Sequence, residues 1–89
     1  MAGFEILVKR SAAKEIEAIS RKKDRQQIVR KISRLAEKPW PTGCQKLSWR
    51  DRYRIPQGPY RIAYSIENDQ LIVYVVKVGH RSDVYRGPV

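Results

Sequence analysis

The run Val78-Gly79-His80-Arg81-Ser82-Asp83-Val84-Tyr85-Arg86 sets arginine, histidine and tyrosine directly after an apolar stretch. These residue types suit the handling of a phosphate backbone. A guanidinium presents a planar fork of donors to phosphate oxygens and keeps its charge at every accessible pH. Imidazole, with a reference pKa of about 6.5, is suited to proton transfer near neutrality. A phenol placed among arginines is pushed toward ionisation and can then pass a proton either way.

The composition agrees with a phosphate-bearing partner. Nineteen Lys and Arg stand against nine Asp and Glu, a formal net charge of +10 over 89 residues. Such a balance favours a polyanion, because each phosphate neutralised releases counterions. Nucleic acid or a ribosome leads and an anionic membrane trails. No stretch approaches the roughly 18 consecutive apolar residues that span a bilayer, and the opening Met1-Ala2-Gly3-Phe4-Glu5 lacks the order of a secretory signal. The expectation is a cytoplasmic protein without a membrane role. One cysteine, Cys44, and one histidine supply neither an internal disulfide nor a zinc set, so neither metal nor small-molecule cofactor is expected. The length fits one small domain over residues 1–89, with a modest core that a bound partner can reinforce.

Those chemical residues must be positioned by a few short elements. Phe4, Ile6 and Val8 alternate with Glu5 and Leu7 as a strand does. Ser11 is placed to cap a helix carrying Ala12, Ile16 and Ile19, and Asp24 with Gln27 has capping-box spacing before the stripe Ile28, Ile32, Leu35, Ala36. Pro39 is expected to stop the second helix, giving an antiparallel helical hairpin. Lys38 to Cys44, with two prolines and a glycine, reads as a loop. Three strands follow: one with Tyr53 and Ile55, one with Tyr60, Ile62, Tyr64 and Ile66, and the nearly continuous apolar run Leu71 to Val78, the best candidate for a central strand. Their hairpin-length connections, Pro56 to Pro59 and Glu67 to Gln70, predict an antiparallel meander, with a further short strand near Val84.

The reading is an α+β domain: a small antiparallel sheet in the order β-α-α-β-β-β, with an N-terminal helical hairpin packed on one face. Period-two alternation then sorts the charges. If Tyr60, Ile62 and Tyr64 face the helices, Arg61 faces away, as does Arg54 beside Tyr53 and Ile55. Lys46, Arg50, Arg52 and Arg81 are expected to join them in one basic surface.

Lys46-Leu47, Tyr53-Arg54-Ile55, Gly58-Pro59-Tyr60-Arg61-Ile62-Ala63-Tyr64 and Val78-Gly79-His80-Arg81-Ser82-Asp83-Val84-Tyr85 resemble the RelE family of bacterial toxins, within the RelE/ParE superfamily. The resemblance spans nearly the whole chain. It implies a RelE/ParE-like fold and a type II toxin held inactive by a cognate antitoxin, RelB-like or another small one. It also implies a ribosome-dependent endoribonuclease that cuts messenger RNA in the decoding site. The ParE branch, which poisons DNA gyrase, is the first alternative, and a catalytically weak RNA-binding member is the second. Carried over residue by residue, the arginine of the family's Tyr-Arg motif falls on Arg61, its late arginine on Arg81 and its late tyrosine on Tyr85. A first basic position falls on Arg54. The second falls on Pro56, a departure from many members.

Metal-free RNA cleavage requires the 2′-hydroxyl to lose its proton and attack phosphorus, the non-bridging oxygens to be stabilised, and the leaving 5′-oxygen to be protonated. The resemblance assigns Arg61 and Arg81 to charge stabilisation and Tyr85 to proton transfer. His80 is a second acid or base candidate, which alternation points away from Arg81. Lys46, Arg52 and Arg54 are expected to bind the RNA backbone. Trp40, between two prolines, reads as core cover rather than a base-stacking platform.

Overall fold

A Gly58 at positive φ (59°) followed by Pro59, whose ring fixes φ near −65°, has the sign pattern of a type II′ turn. It joins Arg52–Gln57 to Tyr60–Glu67 as a tight hairpin, and Asn68 to Leu71 turns the chain again into Ile72–His80. The structure, a computed structural model, describes residues 3–47 and 51–81. In chain order it comprises β1 (Glu5–Val8), α1 (Arg10–Glu17), α2 (Lys22–Arg34), β2 (Gln45–Lys46), β3 (Arg52–Gln57), β4 (Tyr60–Glu67) and β5 (Ile72–His80). No helix among the described residues is long and apolar enough to cross a membrane.

The strands form one sheet in the order β1-β5-β4-β3-β2. The β3-β4-β5 meander is antiparallel, and the apolar run of β5 occupies an interior position between β1 and β4. Two features depart from the expected sheet. It is mixed rather than antiparallel throughout, because β1 lies parallel to β5 in the register Glu5↔Ile72 to Val8↔Val75. Parallel neighbours need a long crossover, which the helices and the meander supply, and no local pattern in β1 encodes that partner. The loop after α2 also contributes a two-residue strand, β2, paired with Tyr53 and Arg54. The strand expected near Val84 lies outside the described residues.

The helix boundaries differ from the capping signals. Lys9 is the N-cap of α1 without a side-chain cap bond, and Ser11 lies one residue inside the helix. α2 starts after Arg21, so Asp24 is not a cap but sits in the first turn, where its charge favours the helix dipole. Arg25 Nη1 donates to the Ile19 carbonyl at 2.5 Å and to that of Ser20 at 3.3 Å, satisfying the turn between the helices. α2 ends at Arg34, with Leu35 as C-cap, before Pro39 is reached.

One face of the sheet receives Ala12, Ile19, Ile28, Ile32 and Leu35 from the helical layer. These pack with Ile55, Ile62, Tyr64, Ile66, Val73, Val75 and Val78, alternate positions of the strands. Fully burying such an aliphatic side chain contributes about 1.5–3 kcal/mol each, so this face carries the stability of the domain. Rings extend the core under the loop: Phe4 and Trp40 meet edge to face at 5.9 Å, Trp40 and Tyr53 at 6.4 Å, and Tyr53 stacks on Tyr64 at 5.8 Å. Trp40 is therefore a cover for the core edge. Gly3 is required at the chain's entry, since a Cβ there would clash with the Ala36 carbonyl oxygen, to which Phe4 N–H donates.

Candidate functional site

The other face of the sheet is set by register. Asp51 O accepts from Ile66 N–H and Arg52 O from Leu47 N–H, so alternate residues of β3 bond β4 and β2 in turn. Pro56 falls on the β2 side, past the end of β2, where the missing N–H leaves no ladder bond unmade. A proline at this position is thus cheap for the fold, and it stands directly opposite Arg61.

Arg52 pairs with Ser65, Arg54 with Ala63, and Arg61 with both Pro56 on one side and Gly79 on the other. Arg52, Arg54 and Arg61 therefore share the face turned from the core, and no element among the described residues covers it. Gln45 also belongs there: opposite Arg54 in β2, its Oε1 accepts from Arg54 Nη2 at 2.6 Å and fixes that guanidinium.

The hairpin turn gathers the two arginines of highest interest. Arg61 Nη1 donates to the Tyr60 carbonyl at 2.9 Å and to the Gly58 carbonyl at 3.2 Å. These bonds occupy Nη1 and leave the Nε and Nη2 donors of the same fork for a ligand. Arg81 N–H donates to Pro59 O at 2.9 Å, which carries the antiparallel ladder one residue beyond β5. Three successive carbonyls, Gly58, Pro59 and Tyr60, thereby tether both residues. Arg81 comes two positions after Gly79, the partner of Arg61, so alternation sets it on the Arg61 side. Gly79 places no side chain between them.

Lys46 and His80 stand apart from this surface, Lys46 against expectation and His80 as alternation indicates. Lys46 pairs with Tyr53, whose ring stacks within the core, so the register assigns Lys46 to the helix-side face rather than to the arginine surface. The sequence placed it wrongly because the start of β2, which sets the phase of alternation, carries no apolar pattern. His80 pairs with Tyr60, and the two rings meet edge to face at 6.4 Å, on the side opposite Arg61. Tyr85 and Arg50 lie outside the described residues. Gln45 was missed by sequence reasoning, and nothing in its neighbourhood announces it. The β1 and β5 half of the same face is apolar instead, with Leu7 opposite Tyr74 and both substantially exposed.

A family model, ParE toxin of type II toxin-antitoxin system, parDE, matches residues 6–85. The chain belongs to the RelE/ParE superfamily of type II toxin–antitoxin toxins. Solved RelE structures resemble it over almost their whole length. A free-state double arginine-to-alanine mutant of the E. coli toxin RelE is 29% identical, with 96% of this chain and 92% of that one covered and a TM-score of 0.75. The isolated E. coli RelE toxin in a P21 crystal form is 26% identical, covering 92% and 90%, with a TM-score of 0.76. The archaeal RelE–RelB complex from Pyrococcus horikoshii shares the fold at 18% identity, covering 89% and 96%, with a TM-score of 0.77. No curated protein sequence matches this toxin significantly.

Proposed function

We propose that this toxin is a ribosome-dependent endoribonuclease that cuts messenger RNA in the decoding site without a metal ion, and that a RelB-like or other small antitoxin holds it inactive. The observation that carries the reading is the tethering of Arg61 and Arg81 to one hairpin, on a face that no described element covers and that also holds Arg52 and Arg54. In this mechanism the RNA backbone lies along β3 and β4, positioned by Arg52 and Arg54. The 2′-hydroxyl of the nucleotide before the scissile bond gives up its proton to water and attacks the adjacent phosphorus, breaking its bond to the 5′-oxygen. Arg61 and Arg81 neutralise the charge that grows on the non-bridging oxygens. Tyr85 protonates the departing 5′-oxygen, leaving a 2′,3′-cyclic phosphate and a free 5′-hydroxyl, and His80, whose ring lies on the side opposite Arg61, stands outside this step.

An exposed sheet face has few groups that read bases, so the ribosome supplies the substrate geometry. The RelE likeness supports the nuclease branch, and the solved complexes of RelE relatives with RelB, including that from Pyrococcus horikoshii, support the antitoxin. The match of the family model to the ParE toxin favours a second reading, gyrase poisoning. Primer extension on messenger RNA after induction, beside a gyrase cleavage assay, separates them. Ribosome-dependent cuts with intact DNA support the first; gyrase-dependent DNA breaks with intact messenger support the second.

A further inference from the structure

Strand β5 outruns its neighbour. β1 pairs only with Ile72 to Val75, and the last bond of that ladder runs from Lys9 N–H to Val75 O. Just beyond, the register against β4 slips between Ala63 and Tyr64, so that Ala63 faces Lys77 while Tyr64 faces Val75. The inserted residue, Val76, explains why Val73, Val75 and then Val78 enter the core. It also leaves the Val78 N–H on an edge with no strand beside it among the described residues.

Glu15, in the last turn of α1, fills that position. Its Oε1 accepts from Val78 N–H at 2.8 Å, and its Oε2 accepts from Lys77 Nζ at 3.0 Å. A helix carboxylate thus replaces the missing strand carbonyl and is itself fixed by a cation. Arg81 lies three residues downstream, held from the opposite edge by Pro59 O. We propose that Glu15 is a positioning residue for Arg81: with Pro59 it clamps the end of β5 so that Arg81 is presented beside Arg61. The catalytic consequence rests on the nuclease reading above, whereas the mechanical coupling does not.

The test compares Glu15→Ala, which removes both acceptors, with Glu15→Gln, whose amide oxygen can still receive the Val78 N–H. Amide exchange is followed by NMR on the free toxin. In Glu15→Ala, Val78 and Arg81 should exchange about tenfold faster or more while Val73 and Val75 keep wild-type protection, as expected for local opening. Glu15→Gln should stay within about threefold of wild type at all four, since it retains the edge bond. If Glu15→Ala does not fold, Glu15→Asp, one methylene short of Val78, is read in its place. On programmed ribosomes, Glu15→Ala should slow single-turnover cleavage about tenfold with ribosome affinity unchanged, yet cost nothing further in an Arg81→Ala background. Unchanged Arg81 exchange, a uniform loss of protection across the sheet, or an equal slowing with and without Arg81 would each overturn the proposal. A wild-type toxin that leaves messenger RNA intact defeats the nuclease reading alone, because the exchange pattern still decides whether Glu15 holds Arg81.

Discussion

Tyr64→Phe removes one oxygen from the centre of the domain. The ring is fully buried, stacked on Tyr53, and its hydroxyl donates to the Pro39 carbonyl at 2.8 Å with Cys44 Sγ 3.3 Å away. Pro39 is itself buried, so the variant leaves its carbonyl without that donor, a penalty of about 1–3 kcal/mol. Taking about 2 kcal/mol as the central value, Tm should fall by about 8–16 °C for a domain of this size. The same geometry fixes the pH dependence of the loss. Burial first, and then the neighbouring Cys44 and Tyr53, push the Tyr64 phenol far above its ordinary range. In the unfolded chain this phenol ionises near pH ~10, while in the folded chain it stays neutral, so the stabilisation is complete below that pH and is lost as pH rises toward the folded value. The loss proceeds at about 1.4 kcal/mol per pH unit, so the gap between wild type and Tyr64→Phe should close near pH ~11.5. Urea denaturation of both proteins, followed by circular dichroism between neutral and alkaline pH, measures that gap directly. A gap that stays constant through the alkaline range, or one below about 0.5 kcal/mol at neutrality, would refute the assigned role of the hydroxyl.

Other expectations concern the proposed chemistry and the antitoxin. Arg61→Ala and Arg81→Ala should each cost about 2.7–4 kcal/mol in the cleavage step, roughly a hundredfold to a thousandfold, read by single-turnover cleavage on programmed ribosomes. Tyr85→Phe should lower the chemical rate with ribosome binding nearly intact, and His80→Gln should cost less; wild-type rates for the first beside a collapse of the second would exchange their roles. Addition of the antitoxin at about a hundred times its Kd should stabilise the toxin by about 2.7 kcal/mol, visible as a rise in Tm. An unchanged Tm would show that the chosen product does not bind the folded toxin.

Much of this architecture is written in short-range pattern. The alternation through Tyr60, Ile62, Tyr64 and Ile66 specifies the core face of β4 and thereby the outward direction of Arg61, because a strand offers only two faces. Gly58-Pro59 specifies the hairpin in the same local way. The partner of β1 is decided by where the crossover delivers the chain, a property of the whole topology, so its parallel pairing with β5 left no trace in residues 4–8. Ser11 and Asp24 carry good capping chemistry, yet the helices start earlier, after Lys9 and Arg21, whose side chains make no cap bond. At the site, Arg54 and Arg61 were legible from alternation, whereas Lys46 was not, since the two residues of β2 provide no apolar phase. Glu15 escaped notice because its partner is a backbone N–H exposed by the Val76 irregularity, which sequence does not announce.

In the proposed reaction Arg61 and Arg81 act together on one phosphate of ribosome-bound messenger. That joint action is tested most directly by primer extension on a defined messenger incubated with the purified toxin, with and without ribosomes, for wild type and Arg61→Ala/Arg81→Ala. The wild type should make discrete cuts on ribosomes only, ending in a 2′,3′-cyclic phosphate, and the double variant none, although it still binds the ribosome. Efficient cutting of naked messenger, or wild-type cutting by the double variant, would contradict it.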